Sequence, residues 1–295
     1  MKLGMTMMKI GFIGTGVMGT GIINNLLNHH ETVIVYNRTK SHAQAVLDNG
    51  AQWAASPAEL TAQVDVVMTM VGFPQDVHDV YYGDQGILKN AHAGQILIDL
   101  TTSTPSLDQK ITRDCQKRGI QCLDAPVSGG DIGAKKGTLT VMVGGEKQTM
   151  NSLQGLFDEF AASVTYFGPA GSGQNAKMAN QIMIAGTMTG MTEAFVYAKA
   201  AGLDLQQVMN TLQSGAAENF SLGSYGSRIL RHDYTPGFFA KHFLKDLRIA
   251  LTTAEQLDID LPATKEAKRL YEVLVDQQGL GNDGTQALIK LWWQD

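Results

Sequence analysis

The hydrophobic pattern of this chain divides it into two parts. In the first part, short apolar runs at 9–13, 32–36, 65–71, 95–99 and 138–143 alternate with stretches of helical periodicity. This alternation is typical of parallel strands with crossover helices, so the first half is predicted to be an α/β domain whose strands all end at one edge. Ligands of such sheets lie beyond the carboxyl ends of the strands.

From about residue 171 the apolar positions follow a helical spacing almost to the end of the chain. The segment Phe167-Gly-Pro-Ala-Gly171 separates the two patterns, and Gly and Pro commonly interrupt regular structure. We therefore predict two domains, 1–168 and 169–295, of which the second is all-helical. Its longest apolar stretch, 182–198, contains Thr and Glu residues and is predicted to be a long buried helix rather than a membrane span.

The first apolar run leads directly into a glycine-rich segment, Gly14-Thr15-Gly16-Val17-Met18-Gly19, and apolar residues at helical spacing follow it. In this context the first glycine permits a tight strand-to-helix turn and the second lets bare backbone approach a pyrophosphate. The third glycine lets the new helix pack closely on the strand. Unpaired N–H groups at the helix start would face the phosphates. The segment therefore predicts a Rossmann domain that binds a dinucleotide.

The second apolar run ends at Asn37-Arg38-Thr39, where such a domain contacts the adenosine ribose. An acidic residue there would bind the ribose hydroxyls of NAD, whereas the planar guanidinium of Arg38 suits a 2′-phosphate. NADP is therefore the predicted cofactor, with NAD as the alternative. The other interpretation is that Arg38 is an ordinary solvated charge on a loop.

The ends of two further runs are candidates for the nicotinamide side of the cofactor. One run ends at Met70-Val71-Gly72, and the other is followed by Thr101-Thr102-Ser103. The Thr and Ser side chains also suit helix capping, because Pro105 could begin a helix, and capping is compatible with cofactor contact.

Composition narrows the classes of function. With 295 residues, of which 44% are apolar and 17% charged, the chain has an ordinary globular composition. A net charge of −5 without a Lys/Arg run argues against nucleic acid or an anionic membrane as a partner. The two cysteines, Cys115 and Cys122, are too few for a disulfide framework or a zinc site, so no metal is predicted and a cytoplasmic location is expected. Residues 1–8 lack an apolar core of signal-peptide length.

Two further motifs suit substrate chemistry. In Asp124-Ala-Pro-Val-Ser-Gly-Gly130, the hydroxyl of Ser128 and the N–H groups of Gly129 and Gly130 could form a nest for a carboxylate, although the same residues suit a simple turn. In Gly171-Ser-Gly-Gln-Asn-Ala-Lys-Met-Ala-Asn-Gln181, the spacing places Lys177, Asn180 and Gln181 on one helix face. Partial desolvation would lower the pKa of Lys177 toward a range useful for donating a proton. The alternative is that the Lys177 side chain extends into solvent.

Four segments, in this order and at these spacings, resemble the β-hydroxyacid dehydrogenase family: GFIGTGVMG, DAPVSGG, GSGQNAKMANQ and FAKHFLKDL. The family includes 3-hydroxyisobutyrate dehydrogenases and reductases of tartronate, glyoxylate and succinic semialdehydes. The resemblance covers the chain from residue 9 to the last helices. It implies hydride transfer between NADP(H) and a short β-hydroxyacid, semialdehyde or 2-oxoacid. It also implies a Rossmann domain joined by a long helix to an all-helical domain, in a homodimer or homotetramer.

The resemblance further implies roles for individual residues. Lys177 would be the general acid/base, and Asn180 or Gln181 would orient the substrate. Ser128, Gly129 and Gly130 would hold the substrate carboxylate, and Lys245 would close over cofactor and substrate with Asp246 orienting it. Further cofactor contacts would come from Val71, Gly72, Asp76 and Thr102.

The chain departs from the family pattern in its Asn180-Gln181 pair, where members commonly have two asparagines, and in Val71-Gly72, where many members have Leu-Pro. Two other interpretations stay open. A decarboxylating 6-phosphogluconate-type dehydrogenase shares the architecture but would be expected to have His-Asn after the lysine. A non-catalytic NADP-binding module is the second, and the intact Lys177 argues against it. An imine reductase would usually lack this lysine.

Overall fold

The structure is a computed structural model that describes residues 8–293. The prediction that residues 1–8 are not a signal peptide therefore concerns a segment that lies, except for Met8, outside the described range. The chain divides into two compact units, Met1–Lys177 and Met178–Asp295. The division falls inside one continuous helix, α10 (Ser172–Ala200).

The first unit is built on a mixed sheet. Its strands are β1 (Lys9–Ile13), β2 (Thr32–Tyr36), β3 (Gln52–Trp53), β4 (Val66–Thr69), β5 (Ile96–Asp99), β6 (Gln121–Asp124), β7 (Val127–Ser128), β8 (Leu139–Gly145) and β9 (Ala161–Gly168). The order is β3-β2-β1-β4-β5-β6-β8-β7, and β9 pairs with β8. Strands β1 to β6 run parallel to one another. The predicted α/β class with a parallel Rossmann sheet is confirmed.

Helices cover both faces of this sheet, which is why its central strands are nearly continuous apolar runs. The helices are α1 (Val17–Asn28), α2 (Gln44–Asp48), α3 (Pro57–Thr61), α4 (Pro74–Tyr82), α5 (Ile87–Asn90), α6 (Pro105–Gln116), α7 (Gly130–Lys136), α8 (Lys147–Ser152) and α9 (Gln154–Phe157), with a 3₁₀ turn at Lys40–Ala43. Successive strand residues point to opposite faces. Phe12 therefore packs in the core on one side of the sheet, and Ile13 in the core on the other.

One strand runs against the predicted direction. Strand β8 is antiparallel to β6, so the run at 138–143 does not end at the same edge as β1, β2, β4 and β5, and that prediction was wrong. The segment between β6 and β8 contains β7 and α7, which return the chain beside β6 instead of carrying it over the sheet. Four strands were not predicted from the sequence. Strands β3 and β7 are only two residues long, β6 has a polar residue at each end, and β9 is largely exposed.

The second unit is helical, as predicted. After α10 it contains α11 (Leu205–Gln213), α12 (Phe220–Leu230), α13 (Ala240–Gln256) and α14 (Pro262–Glu272), a π-helical turn (Val273–Gln277) and a 3₁₀ segment (Thr285–Leu291). Its core is formed by side chains such as Phe243, Leu247 and Tyr271. Among the described residues, no helix has both the length and the apolar character that a membrane crossing requires.

The long helix differs in one respect from its prediction. Its Met188 and Phe195 are fully buried, but Met183 is 69% exposed and Tyr197 is 74% exposed. Apolar residues therefore occur around most of the helix circumference, while one face is left exposed. The prediction of a long buried helix therefore holds for the face of Met188 and Phe195 and not for the face of Met183 and Tyr197.

Candidate active site

The glycine-rich segment forms a tight turn between β1 and α1. Gly14 has a φ of 105°, and a Cβ there would lie 2.0 Å from the carbonyl oxygen of Met70, so only glycine fits. A Cβ on Gly19 would lie 2.0 Å from the oxygen of Gly14, because α1 packs directly on the turn. By contrast, apart from its chain neighbours, no residue in the range 8–293 comes within 4 Å of a Cβ on Gly16. The backbone at Gly16 is therefore open to a ligand.

This open backbone suits a pyrophosphate. Helix α1 begins at Val17, directly after Gly16, so the N–H groups of its first turn stand next to the open position. The hydroxyl of Thr15 is buried and has no hydrogen-bond partner in the described part of the chain. A phosphate oxygen would supply an acceptor for it. The residues present therefore fit the dinucleotide that the sequence predicts.

The residues predicted to contact the adenosine ribose, Asn37, Arg38 and Thr39, follow β2 beside this turn. The amide oxygen of Asn37 accepts a hydrogen bond from the N–H of Thr15 at 3.1 Å, and its Nδ2 donates to the carbonyl of Thr39 at 2.9 Å. Arg38 forms an ion pair with Asp76 at 3.4 Å, and its side chain is 88% exposed. Such an exposed ion pair contributes little, about 0–1 kcal/mol, so Arg38 can exchange Asp76 for a phosphate dianion at small cost.

The loops that follow β4 and β5 are joined by hydrogen bonds. The N–H of Val71 donates to the hydroxyl of Thr101 at 3.0 Å. The N–H of Thr101 and the hydroxyl of Thr69 both donate to Oδ1 of Asp99, at 3.0 and 2.8 Å. Thr102, half-buried, follows in the same loop. The two candidate segments for the nicotinamide side thus form one connected structure at the carboxyl edge of the sheet.

Three carboxyl groups are buried near this edge. Burial raises the pKa of Asp99 to about 6, although hydrogen bonds from Thr101 and Thr69 act in the opposite direction. Burial and the neighbouring Asp99 and Asp124 raise the pKa of Asp108 well above its ordinary value. Burial also raises the pKa of Asp124.

Asp124 holds the start of α10. Its two carboxyl oxygens accept the N–H groups of Gly171 at 2.7 Å and Gln174 at 2.9 Å. The first turn of a helix has N–H groups without partners in the helix, and a carboxyl group there satisfies two of them. The motif that begins at Asp124 therefore also anchors the helix that carries Lys177.

The predicted carboxylate nest follows Asp124 in the chain. Ser128 ends β7, and the glycines after it have φ values of 129° at Gly129 and 64° at Gly130, where α7 begins. Both conformations lie in the region that favours glycine. Strands β5 and β6 pair Asp99 with Asp124, so this motif starts at the same sheet edge as the loops described above.

Lys177 lies in the second turn of α10 and is only 6% exposed. The interpretation that its side chain extends into solvent is therefore wrong. An ammonium group out of water is costly unless its charge is used or compensated. The same helix presents Asn180 and Gln181 three and four residues later, and Gln181 is fully buried.

In the second unit, Gln181 takes part in a chain of polar contacts. Its Oε1 accepts a hydrogen bond from Nδ2 of Asn180 at 2.7 Å, and its Nε2 donates to Oδ2 of Asp246 at 2.6 Å. Lys245 forms an ion pair with Oδ1 of Asp246 at 3.0 Å. The residue pair Lys245-Asp246 from the KDL segment is thus connected to the amide pair on α10.

Gln174 and the carboxyl groups of Asp99, Asp108 and Asp124 were not among the predicted site residues. A usable signal existed for Asp99, which ends the predicted apolar run at 95–99, but not for Asp124, because its strand β6 is short and has polar ends. Gln174 and Asp108 give no such signal, because they lie on helices among other polar residues. Among residues 8–293, there is no group of three or more His, Cys, Asp or Glu side chains that could hold a metal ion.

Comparison with known proteins agrees with this geometry. The family model described as the NAD binding domain of 6-phosphogluconate dehydrogenase matches residues 9–168. A second model, described as NAD-binding of NADP-dependent 3-hydroxyisobutyrate dehydrogenase, matches residues 171–292. A probable 3-hydroxyisobutyrate dehydrogenase-like protein of Arabidopsis thaliana, named as mitochondrial, is 44% identical over 282 residues, 95% of this chain and 84% of that protein.

The chain belongs to the 3-hydroxyisobutyrate dehydrogenase family, within the β-hydroxyacid dehydrogenases. This dehydrogenase is also 33% identical over 272 residues to the 2-hydroxy-3-oxopropionate reductase of Escherichia coli, covering 92% of this chain and 93% of the reductase. A solved structure described as Psf3 in complex with NADP+ and 2-OPP superposes with a TM-score of 0.90 at 26% identity, covering 96% of the dehydrogenase and 100% of that chain.

The family resemblance stated from the four sequence segments is therefore confirmed, and so is the use of NADP or NAD as cofactor. The chain is an NAD(P)-dependent hydroxyacid dehydrogenase.

Proposed function

We propose that this dehydrogenase transfers a hydride between NADP(H) and a short β-hydroxyacid, semialdehyde or 2-oxoacid, with Lys177 as the general acid/base. The observation that carries the proposal is the burial of Lys177 near the start of α10, on the helix face that also bears Asn180 and Gln181. A buried titratable group with polar neighbours is a strong candidate for a functional residue.

Bound NADPH supplies the hydride from C4 of its nicotinamide ring. In the reduction, Lys177 Nζ gives a proton to the oxygen of the substrate carbonyl, and its positive charge stabilises the negative charge that develops there. In the oxidation, Lys177 accepts the proton from the substrate hydroxyl. Ser128 and the N–H groups of Gly129 and Gly130 bind the substrate carboxylate. This second attachment point limits where the carbonyl carbon can lie, and such positioning supplies much of the rate enhancement.

The proposed preference for NADPH rests on Arg38. The residue stands next to Asn37, which binds the glycine-rich turn, and its guanidinium is exposed and paired only weakly with Asp76. A 2′-phosphate would offer it a bidentate partner with more charge than Asp76 has. The NADP+ in the similar solved structure supports this preference.

The proposed substrate class rests on the carboxylate nest together with the names of the relatives. The Arabidopsis relative is named for 3-hydroxyisobutyrate and the Escherichia coli relative for 2-hydroxy-3-oxopropionate. Both compounds are short carboxylates with an oxygen function on the third carbon. A site that binds a carboxylate and places Lys177 at that oxygen would accept either of them.

The first experiment measures initial rates of NADPH and NADH oxidation with glyoxylate and with the semialdehydes of succinate, tartronate and methylmalonate. Lys177→Ala is measured alongside, with Lys199→Ala, a lysine in the last turn of the same helix, as the control. We expect Lys177→Ala to lower turnover by about 10²-fold or more, and Lys199→Ala to keep it. A Lys177→Ala variant that folds, binds NADPH and turns over like the wild type would refute the assignment.

The family resemblance also leads us to include a homo-oligomer in the proposal. The exposed face of α10 presents Met183 and Tyr197, which a second copy of the chain would cover. Size-exclusion chromatography with light scattering tests this point. A mass equal to one chain at micromolar concentration would contradict it.

A further inference from the structure

Gln174 is a fully buried amide that the chemistry above does not use. It lies in the first turn of α10, three residues before Lys177, so the two residues are neighbours on the helix surface. A buried amide costs free energy unless its donors and its acceptor have partners. The partners of Gln174 therefore show what it holds in place.

The side chain of Gln174 bridges two residues of the loop that follows β5. Its Nε2 donates to the carbonyl oxygen of Thr101 at 2.8 Å, and its Oε1 accepts from the N–H of Ser103 at 3.0 Å. One donated and one accepted bond, to backbone atoms two residues apart, determine both the position and the rotation of the amide. A carboxylate, a shorter amide or an apolar side chain cannot make both bonds.

Thr101 extends this connection to the loop after β4. Its hydroxyl accepts the N–H of Val71 at 3.0 Å, and its own N–H is bound to Asp99 at 3.0 Å. The two loops are therefore held together, and Gln174 holds both to the first turn of α10. These loops are the ones that the sequence assigns to the nicotinamide side.

The backbone of the same helical turn is also fixed. Asp124 accepts the N–H groups of Gly171 and Gln174 at 2.7 and 2.9 Å. A Cβ on Gly173 would lie 2.3 Å from the carbonyl oxygen of Met142, so the turn packs directly on the sheet. Lys177 follows within one further turn of a regular helix, which transmits the position of its start.

We propose that Gln174 is a positioning residue that sets where Lys177 lies relative to the Val71 and Thr101–Ser103 loops. The inference rests on the proposed function, in which those loops carry the nicotinamide and Lys177 carries the proton. The hydride and the proton go to the two atoms of one carbonyl group, so their sources must keep a set distance. A displacement of about 1 Å at such a site costs up to about 10²-fold in rate.

The test compares Gln174→Leu with a matched control, Gln95→Leu. Gln95 is 1% exposed, and its Nε2 donates to the carbonyl oxygens of Thr61 and Val64, both at 2.8 Å. Both substitutions remove a buried amide that bridges backbone groups in the first unit, so both lower stability. Only Gln174 is connected to the turn that carries Lys177.

The readouts are kcat, the isotope effect on kcat with NADPH deuterated at the transferred C4 position, and the effect of each substitution in a Lys177→Ala background. For Gln174→Leu we expect kcat to fall by about tenfold to hundredfold and the isotope effect to rise, because hydride transfer becomes slower than product release. Gln95→Leu should keep the kcat and isotope effect of the wild type. In the Lys177→Ala background, Gln174→Leu should cause almost no further loss, because it acts through Lys177.

Equal kcat and isotope effects in Gln174→Leu and Gln95→Leu would overturn the inference. So would a full further loss of kcat when Gln174→Leu is added to Lys177→Ala. Should Gln174→Leu not fold, Gln174→Asn, which keeps an amide with a shorter reach, takes its place with the same expected results. The proposed function is contradicted by a different result: the wild type does not oxidise NADPH with any of the carbonyl substrates, or Lys177→Ala keeps full turnover. In that case the inference about Gln174 is contradicted as well.

Discussion

The Nε2 of Gln181 donates a hydrogen bond to Oδ2 of Asp246 over 2.6 Å, and both side chains are buried. The two methylene groups of Gln181 let its amide reach the carboxylate from α10. The carboxylate is only an acceptor, so it requires the Nε2 of Gln181 and leaves Oε1 to accept from Asn180. Gln181 thus sets the orientation of the Asn180 amide.

We predict that Gln181→Asn lowers the stability of the protein. The shorter side chain leaves the buried carboxylate of Asp246 without one donor, at a cost of about 1–3 kcal/mol. Urea unfolding measures the loss. The control is Gln206→Asn on α11, whose exposed amide contacts Asn210 at 2.9 Å, and its free energy of unfolding should change by less than about 0.5 kcal/mol. Equal losses in the two variants would contradict the role of the Asp246 contact.

Arg38→Ala should raise the KM for NADPH and leave the KM for NADH almost unchanged. A charge-assisted bond to a phosphate contributes about 1.5–3 kcal/mol, which corresponds to about tenfold to hundredfold in affinity. Steady-state kinetics with the two cofactors at saturating substrate give the result. Arg113→Ala, at an exposed position on α6, is the control. An equal rise in the KM for NADH would mean that Arg38 does not contact the 2′-phosphate.

Asp76→Asn should have the opposite effect on NADPH, because it removes the carboxylate that competes with the phosphate for Arg38. The amide oxygen can still accept the N–H of Phe73, which Asp76 binds at 3.0 Å, so the start of α4 is preserved. We expect a lower KM for NADPH with wild-type kcat. An unchanged KM would show that the ion pair does not compete with cofactor binding.

The buried Asp99 should make stability fall as the pH rises. Its folded-state pKa is about 6 against an ordinary 3.8, so the stabilisation is complete below about pH 3.8 and is lost as the pH rises through 6. At about 1.4 kcal/mol per pH unit, the change is at most about 3 kcal/mol. Burial also raises the pKa values of Asp108 and Asp124, so these two groups add to the loss of stability as the pH rises.

Urea unfolding of wild type and Asp99→Asn between pH 4 and pH 8 checks this prediction. The free energy of unfolding of the variant should rise relative to that of the wild type as the pH increases. Asp114→Asn serves as the comparison of opposite sign, because hydrogen bonds from Lys110 and Tyr82 lower the pKa of Asp114 to about 2. The disadvantage of Asp114→Asn against the wild type should stay constant between pH 4 and pH 8, and it should disappear only when the measurement is extended from pH 4 down to about pH 2. A constant difference for Asp99→Asn would show that its pKa is ordinary.

Gly173→Ala should destabilise the start of α10. The new Cβ would lie 2.3 Å from the Met142 carbonyl oxygen, and the close contact requires the turn to move off the sheet, at a cost of about 1–3 kcal/mol. The control is Gly223→Ala in α12, where, apart from the nearby backbone of its own helix, no described residue comes within 4 Å of the new Cβ. Alanine should stabilise that helix by up to about 1 kcal/mol. Thermal unfolding of the two variants should therefore shift in opposite directions.

The sequence by itself determined the family, the α/β class with a helical second part, and the kind of cofactor. These properties are local or periodic. The glycine-rich turn between β1 and α1 needs glycine at fixed spacing, and buried parallel strands need continuous apolar runs. A single segment such as GSGQNAKMANQ therefore indicates both the start of a helix and, on that helix, the candidate general acid Lys177.

Only the tertiary structure decided the direction of β8 and the partners of the buried polar groups. Strand direction depends on whether the connection between two strands crosses the sheet or turns back, and the apolar run at 138–143 is compatible with both. Gln174 and Thr101 are 73 residues apart in sequence, and Gln181 and Asp246 are 65 apart. Hydrogen bonds between such residues depend on which elements the fold brings together, and no local pattern in the chain encodes them.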